Sequence, residues 1–207
     1  MVSARANPLD SAWAGPHDGA VRVLLETERL ILRQFTADDL DALVDLNSDP
    51  EVTFFINGGR PIPREELAAD YLPAYLAYHE KNPDTGFFVA QEKASGEFIG
   101  WFHFRAPPDK PADEPELGYR LRRSAWGRGY ATEGSKALVD KGFRDLGVSR
   151  VTAETMVVNS RSRRVMEKVG MRQVRIFHAE WPDRIPGDEH GDVEYALTRA
   201  EWQAARP

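Results

Sequence analysis

The chain has 207 residues, 42% of them hydrophobic, with no cysteine and a formal net charge of −6. This length suits one domain with tails, and the missing thiols exclude disulfides, thiolate metal sites and a cysteine nucleophile. The negative balance disfavours general nucleic-acid binding, and no apolar run reaches the ~18 residues that would mark a membrane helix.

Residues 1–22 read as a flexible leader rich in Ala, Gly, Pro and Asp, without the apolar stretch of a secretory signal. A cytoplasmic setting is expected. Leu24 to Phe35 alternates as a strand. Thr36 then precedes a helical pattern with Asp38 and Asp39 in its first turn, and Asp49-Pro50 stops it. Asn57-Gly58-Gly59 is a turn. Glu65 to Glu80 is helical, with Pro73 placed to kink or split it. Gly86 to Gln91 and Phe98 to Phe104 flank a hairpin turn at Lys93 to Gly96. A Pro-rich loop leads to a third strand of that group, Glu116 to Leu121, where Gly118 predicts a bulge or a splay.

The period then changes. Tyr130 to Leu146 is helical and Gly147 ends it. Arg150 to Val158 is a strand, Ser160 to Val169 a short helix, and Arg172 to Phe177 and Asp192 to Leu197 two closing strands. Two strand–helix units after an antiparallel meander make a mixed α/β sheet. Charge is uneven along this order. Arg120 to Arg128 holds four arginines and no acid, and Arg161 to Arg175 holds six basic residues against Glu167 alone. These are either solvated edges or two basic walls around one polyanion.

Trp126-Gly127-Arg128-Gly129-Tyr130-Ala131-Thr132 lies between a strand and a helix. Its glycines free the backbone and clear the space in front of successive N–H groups, and the helix start adds positive character. A lone G-x-G is also an ordinary loop. No G-x-x-x-x-G-K-[ST] is present, and Thr132 fills the last place of a G-x-G-x-x-G, which weakens a dinucleotide reading.

Gly127 to Glu133 resembles the pyrophosphate loop, Q/R-x-x-G-x-G/A, of the GNAT N-acetyltransferase superfamily, with Trp126 in the Q/R place and Gly129 and Ala131 in the others. The Trp resembles the subgroup that acetylates ribosomal-protein N-termini. Asn159 to Met171 is similar to that subgroup's N-x-x-S helix ending in E-K-x-G-[FM]. Glu26 to Arg33 is similar to its T-x-R-L-x-L-R first strand, and Tyr195 to Trp202 to its last strand. The resemblance spans residues 24–202, and four motifs in the right order reinforce one another.

The resemblance implies a single GNAT domain over 23–204 with an α/β (α+β) fold. Its mixed, mostly antiparallel sheet has about seven strands, splayed between strands 4 and 5, and about four flanking helices. It implies acetyl-CoA as co-substrate, no metal, a primary-amine acceptor (a peptide N-terminus or a small molecule), no nucleic-acid or membrane partner, and a monomer or homodimer. The carrier's pantetheine arm would lie in the splay, with backbone N–H groups near Leu121 on the thioester carbonyl. Cofactor contacts are expected at Leu121, Arg123, Trp126, Gly127, Arg128, Gly129, Tyr130, Ala131, Thr132, Asn159, Arg163 and Lys168. Asn159 is equally a helix cap and Ser162 equally a first-turn serine. Ser162 is the candidate proton donor to the thiolate. Glu116, His103 and Glu180 are candidate bases. An α-amine with pKa near 8 is about one-fifth neutral near pH 7.4, whereas a lysine at roughly 10.4 is about one-thousandth neutral, so an α-amine needs the weaker base. The aromatic residues Phe54, Phe55, Tyr71, Tyr75, Tyr78, Trp101, Phe102 and Phe104 supply one or two pocket walls and otherwise core.

Overall fold

The computed structural model describes residues 21–179 and 184–206. Most of the predicted leader, and also Glu180 and Trp181, lie outside the described residues. Arg22 already joins the sheet, since its carbonyl accepts from Gln34 N–H at 2.9 Å.

Eight strands form one sheet in the order β1-β2-β3-β4-β5-β6-β8-β7. They are β1 (Val23–Glu26), β2 (Leu30–Gln34), β3 (Gly86–Glu92), β4 (Phe98–Arg105), β5 (Glu116–Leu121), β6 (Arg150–Met156), β7 (Arg172–Phe177) and β8 (Asp192–Thr198). Every neighbouring pair is antiparallel except β5 and β6, which run parallel and pair at one position, Glu116 opposite Thr152. The GNAT fold expected from the motifs is therefore present, with the sheet splayed where expected. The eighth strand arises because Leu24 to Phe35 is not one strand. Thr27-Glu28-Arg29 breaks the alternation, and Thr27 Oγ1 accepts from Leu30 N–H at 2.9 Å to close a turn. Gly118 pairs regularly with His103 and takes no left-handed dihedral, so the expected bulge is absent and the splay comes from the β5–β6 side.

Two cores lie on the two faces, as the period-2 alternation of the strands requires. On one face Phe88, Phe102, Phe104, Leu117 and Leu121 pack with Leu138 and Phe143 of α5 (Tyr130–Asp145) and Met166 of α6 (Ser160–Val169). On the other, Phe87, Val89 and Trp101 pack with Leu43 and Leu46 of α1 (Leu40–Ser48), Val52 of α2 (Pro50–Asn57) and Tyr75. The half-buried Trp126 touches both clusters.

Asp49-Pro50 both stops α1 and starts α2. Pro50 needs no N–H in a first turn, and Asp49 Oδ1 caps Glu51 N–H at 3.0 Å. Pro73 splits its helix as expected. Arg64–Glu66 (α3) passes through a wide π turn, Leu67–Tyr71, into α4 (Leu72–Lys81). A π turn opens the helix where the proline ring would strike the carbonyl four residues back. After β8 a capped turn, Thr198 to Glu201, opens α7 (Arg199–Ala204). No helix among the described residues is long and apolar enough to cross a membrane.

The packing of α5 against the sheet depends on glycine. A Cβ on Gly142 would sit 2.6 Å from Phe104 Cζ and 3.3 Å from Val148 Cγ2. Gly142→Ala is therefore expected to destabilise the protein by about 1–3 kcal/mol despite alanine's better helix propensity. Urea unfolding checks this; an unchanged or raised midpoint would contradict it.

Candidate active site

The G-x-G turn has the geometry its sequence demands. Gly127 has φ +72° and Gly129, the N-cap of α5, has φ +86°, a region that only glycine enters easily. A Cβ on Gly127 would meet nothing within 4 Å, so the space before the turn is open. The first-turn N–H groups of α5 have no intrahelical acceptor and face this space with the positive end of the helix dipole.

A groove of about 820 Å³ starts here. Its floor is the turn itself, with Trp126, Gly127, Gly129, Tyr130, Ala131 and Thr132, joined by Leu121 and Tyr119 of β5. One wall is the start of α6, with Asn159, Arg161, Ser162, Arg164, Val165 and Lys168. The other is α2, with Glu51, Phe54 and Phe55. Two expected pocket aromatics thus line the groove, while Tyr75, Trp101, Phe102 and Phe104 are buried core.

Three expected cofactor residues lie outside the lining. Arg123 is paired with Asp49 at 2.6 Å and Glu51 at 2.7 Å. Arg128 is paired with Glu92 at 3.0 Å. Arg163 turns behind α6 and donates to Tyr195 Oη at 3.2 Å and the Val157 carbonyl at 3.1 Å. Arg161 and Arg164 of the same helix line the groove, and Arg163 does not. With Lys168 they follow helical spacing i, i+3, i+7, and that periodicity was the available signal. Among the described residues none of these three cations makes an ion pair, and Arg161 lies 5.4 Å over the Trp126 ring.

The splay supplies the middle of the site. Arg122 N–H donates to Ile99 of β4 at 2.9 Å. Backbone groups alternate in direction along a strand, so those of Leu121 and Tyr119 point away from β4, into the gap. The Leu121 carbonyl is held by Trp126 Nε1 at 2.8 Å. Across the gap, Asn159 Oδ1 caps α6 through Ser162 N–H at 3.3 Å and its Nδ2 donates to Thr155 Oγ1 at 3.0 Å. Asn159 is thus a cap that also lines the groove, with one N–H still to give. Ser162 is buried and hydrogen-bonded to Tyr119, whose phenol is pushed up to about 12, chiefly by burial. Tyr119 was not among the expected residues.

Glu116 and His103 lie on the opposite face of the sheet from Ser162, beside the splay. His103 Nε2 stands 4.0 Å from Glu116 Oε1. Burial, then the nearby Arg105 and Arg120, holds the imidazole well below its ordinary value, so it is neutral at physiological pH and a poor base. Burial, then the nearby Glu154 carboxylate, pushes Glu116 up to about 8. Neither residue lines the groove.

Residues 29–172 match the family model described as an acetyltransferase (GNAT) domain. This chain belongs to the GNAT acetyltransferase family. The acetyltransferase is 34% identical over 184 residues to the FsC-acetyl coenzyme A-N(2)-transacetylase of Aspergillus fumigatus, covering 86% of this chain and 77% of the relative. It is 28% identical over 102 residues to a Bacillus subtilis protein provisionally named a ribosomal N-acetyltransferase, covering 47% of this chain and 52% of that one. Among solved structures, an aminoglycoside acetyltransferase in complex with coenzyme A has a TM-score of 0.66 at 21% identity, covering 86% of this chain and 99% of that one, and shares the fold.

Proposed function

We propose that residues 23–204 act as one unit that moves an acetyl group from acetyl-CoA directly to a primary amine, with an α-amine as the preferred acceptor. The observation that carries this reading is the groove, which joins the open G-x-G turn, three cations on α6 that make no ion pair among the described residues and a splayed strand edge. The pyrophosphate sits on the N–H groups of residues 127–131. Arg161, Arg164 and Lys168 neutralise the remaining phosphate charge. The pantetheine arm occupies the β5–β6 gap, and Leu121 N–H polarises the thioester carbonyl.

Chemistry then runs through the two faces of the splay. Glu116 takes a proton from the acceptor ammonium, and the neutral amine attacks the carbonyl. The tetrahedral oxyanion faces Leu121 N–H. As the C–S bond breaks, Ser162 gives its proton to the leaving thiolate and recovers one from Tyr119, and the proton that the new amide nitrogen sheds returns through water to the Tyr119 phenol, which burial favours. A base of about 8 is matched to an α-ammonium and poorly matched to a lysine side chain, roughly two units higher. The provisional ribosomal relative supports a protein N-terminus as acceptor. A small-molecule amine is the second reading, favoured by the name and higher identity of the Aspergillus transacetylase.

A turnover screen with acetyl-CoA against N-terminal peptides, small diamines and aminoglycosides separates these acceptors. Tight acetyl-CoA binding with no acetylation of any amine would reduce the chain to a carrier-binding module. With the best acceptor, kcat/KM is expected to rise with pH through about 8, as Glu116 loses its proton. In Glu116→Gln that limb disappears and kcat falls about 10²–10⁴-fold; an unaltered profile would remove Glu116 from the mechanism. Gly127→Asp places a carboxylate and a β-carbon in the open space before the turn, so calorimetry is expected to show no acetyl-CoA binding by a still-folded protein. Unchanged affinity would contradict the turn assignment.

A further inference from the structure

We propose that Arg29, in the turn between β1 and β2, is a positioning residue for the phosphate turn, acting through the Arg128 carbonyl and the Glu133 carboxylate. The inference rests on the acetyl-CoA reading of the groove and extends it to the first motif of the chain, which does not itself line the groove. Glu133 stands in the first turn of α5, where a bare carboxylate would compete with the ligand's phosphates for the helix start. It is held instead by the β1–β2 turn. Thr27 Oγ1 donates to it at 2.5 Å and Arg29 N–H at 2.9 Å. The Arg29 guanidinium adds Nε at 2.7 Å and an ion pair at 2.5 Å. Against the effect of burial, the hydrogen bonds from Thr27 and Arg29 keep this carboxyl below its usual range.

The same guanidinium reaches the turn itself. Its Nη1 donates to the Arg128 carbonyl at 2.9 Å, between the two glycines, and its plane lies 4.5 Å over the Tyr130 ring. The position a Cβ of Gly129 would take is 3.4 Å from Arg29 Nη2, so the arginine backs the turn directly. Fixing a carbonyl on the far side leaves the peptide N–H groups on the groove side. Arg29 thereby turns the backbone toward the ligand and masks the one acid of the first turn.

Steady-state kinetics with two acetyl donors tests this. Acetyl-CoA carries the phosphates and acetyl-pantetheine lacks them. Arg29→Ala is expected to raise KM for acetyl-CoA about tenfold, with kcat within about twofold and KM for acetyl-pantetheine unchanged. Arg29→Lys restores charge without the fork and falls between. Glu133→Gln, which keeps the shape, shows the same donor-selective rise should Arg29→Ala melt too early to assay. An equal rise with both donors, or no rise with either, would overturn the proposal. Wild-type protein that uses acetyl-pantetheine as well as acetyl-CoA would overturn the phosphate-turn reading beneath it.

Discussion

The β5–β6 pair is joined at one register position, and the rest of the site depends on that incomplete pairing. A full parallel ladder would consume the edge of β5. Here Thr152 N–H takes the Pro115 carbonyl at 3.0 Å and the strands then diverge. Tyr119 and Leu121 of β5 line the groove, where backbone groups that the sheet leaves unpaired are available to a ligand. A pantetheine amide and a thioester carbonyl are of the right chemistry. Ser162 and Tyr119 face the groove on one side of the sheet, and Glu116 lies beside His103 on the other.

Holding such a gap open requires rigid neighbours. On the β5 side, Trp126 locks Leu121 and spans both cores. On the β6 side, Asn159 fixes the start of α6 through its cap and Thr155. The phosphate turn is held from behind by Arg29, Glu133 and the pairing of Arg128 and Tyr130 with Glu92. Cations that look alike in sequence therefore divide by duty. Arg128 and Arg163 bond to other groups of the protein, while Arg161, Arg164 and Lys168 line the groove.

The sequence was most legible where local chemistry admits one solution. The G-x-G turn, the N-x-x-S helix start, the Pro73 break and the order of the strands all appear where the residues required them. The reading failed where two local rules overlapped. Asp49-Pro50 is at once a stop for α1, a cap and a first turn, so α2, a wall of the groove, begins where the pattern alone shows only an end. Leu24 to Phe35 alternates like one strand, because the polar break at Thr27 that divides it in two is short. Position on the helix face separates Arg161 and Arg164, which line the groove, from Arg163, which does not. Tyr119 carried no motif, and only the fold brings it to Ser162. The depressed basicity of His103 and the raised pKa of Glu116 are products of burial, which no pattern in the chain announces.

The claim that the turn and the splay together form the carrier site is tested most directly by a crystal structure with coenzyme A bound. The pyrophosphate is expected on the N–H groups of Gly127 to Ala131, with the pantetheine arm between β5 and β6. Coenzyme A bound elsewhere, or a β5–β6 ladder closed along its length in the complex, would contradict the account.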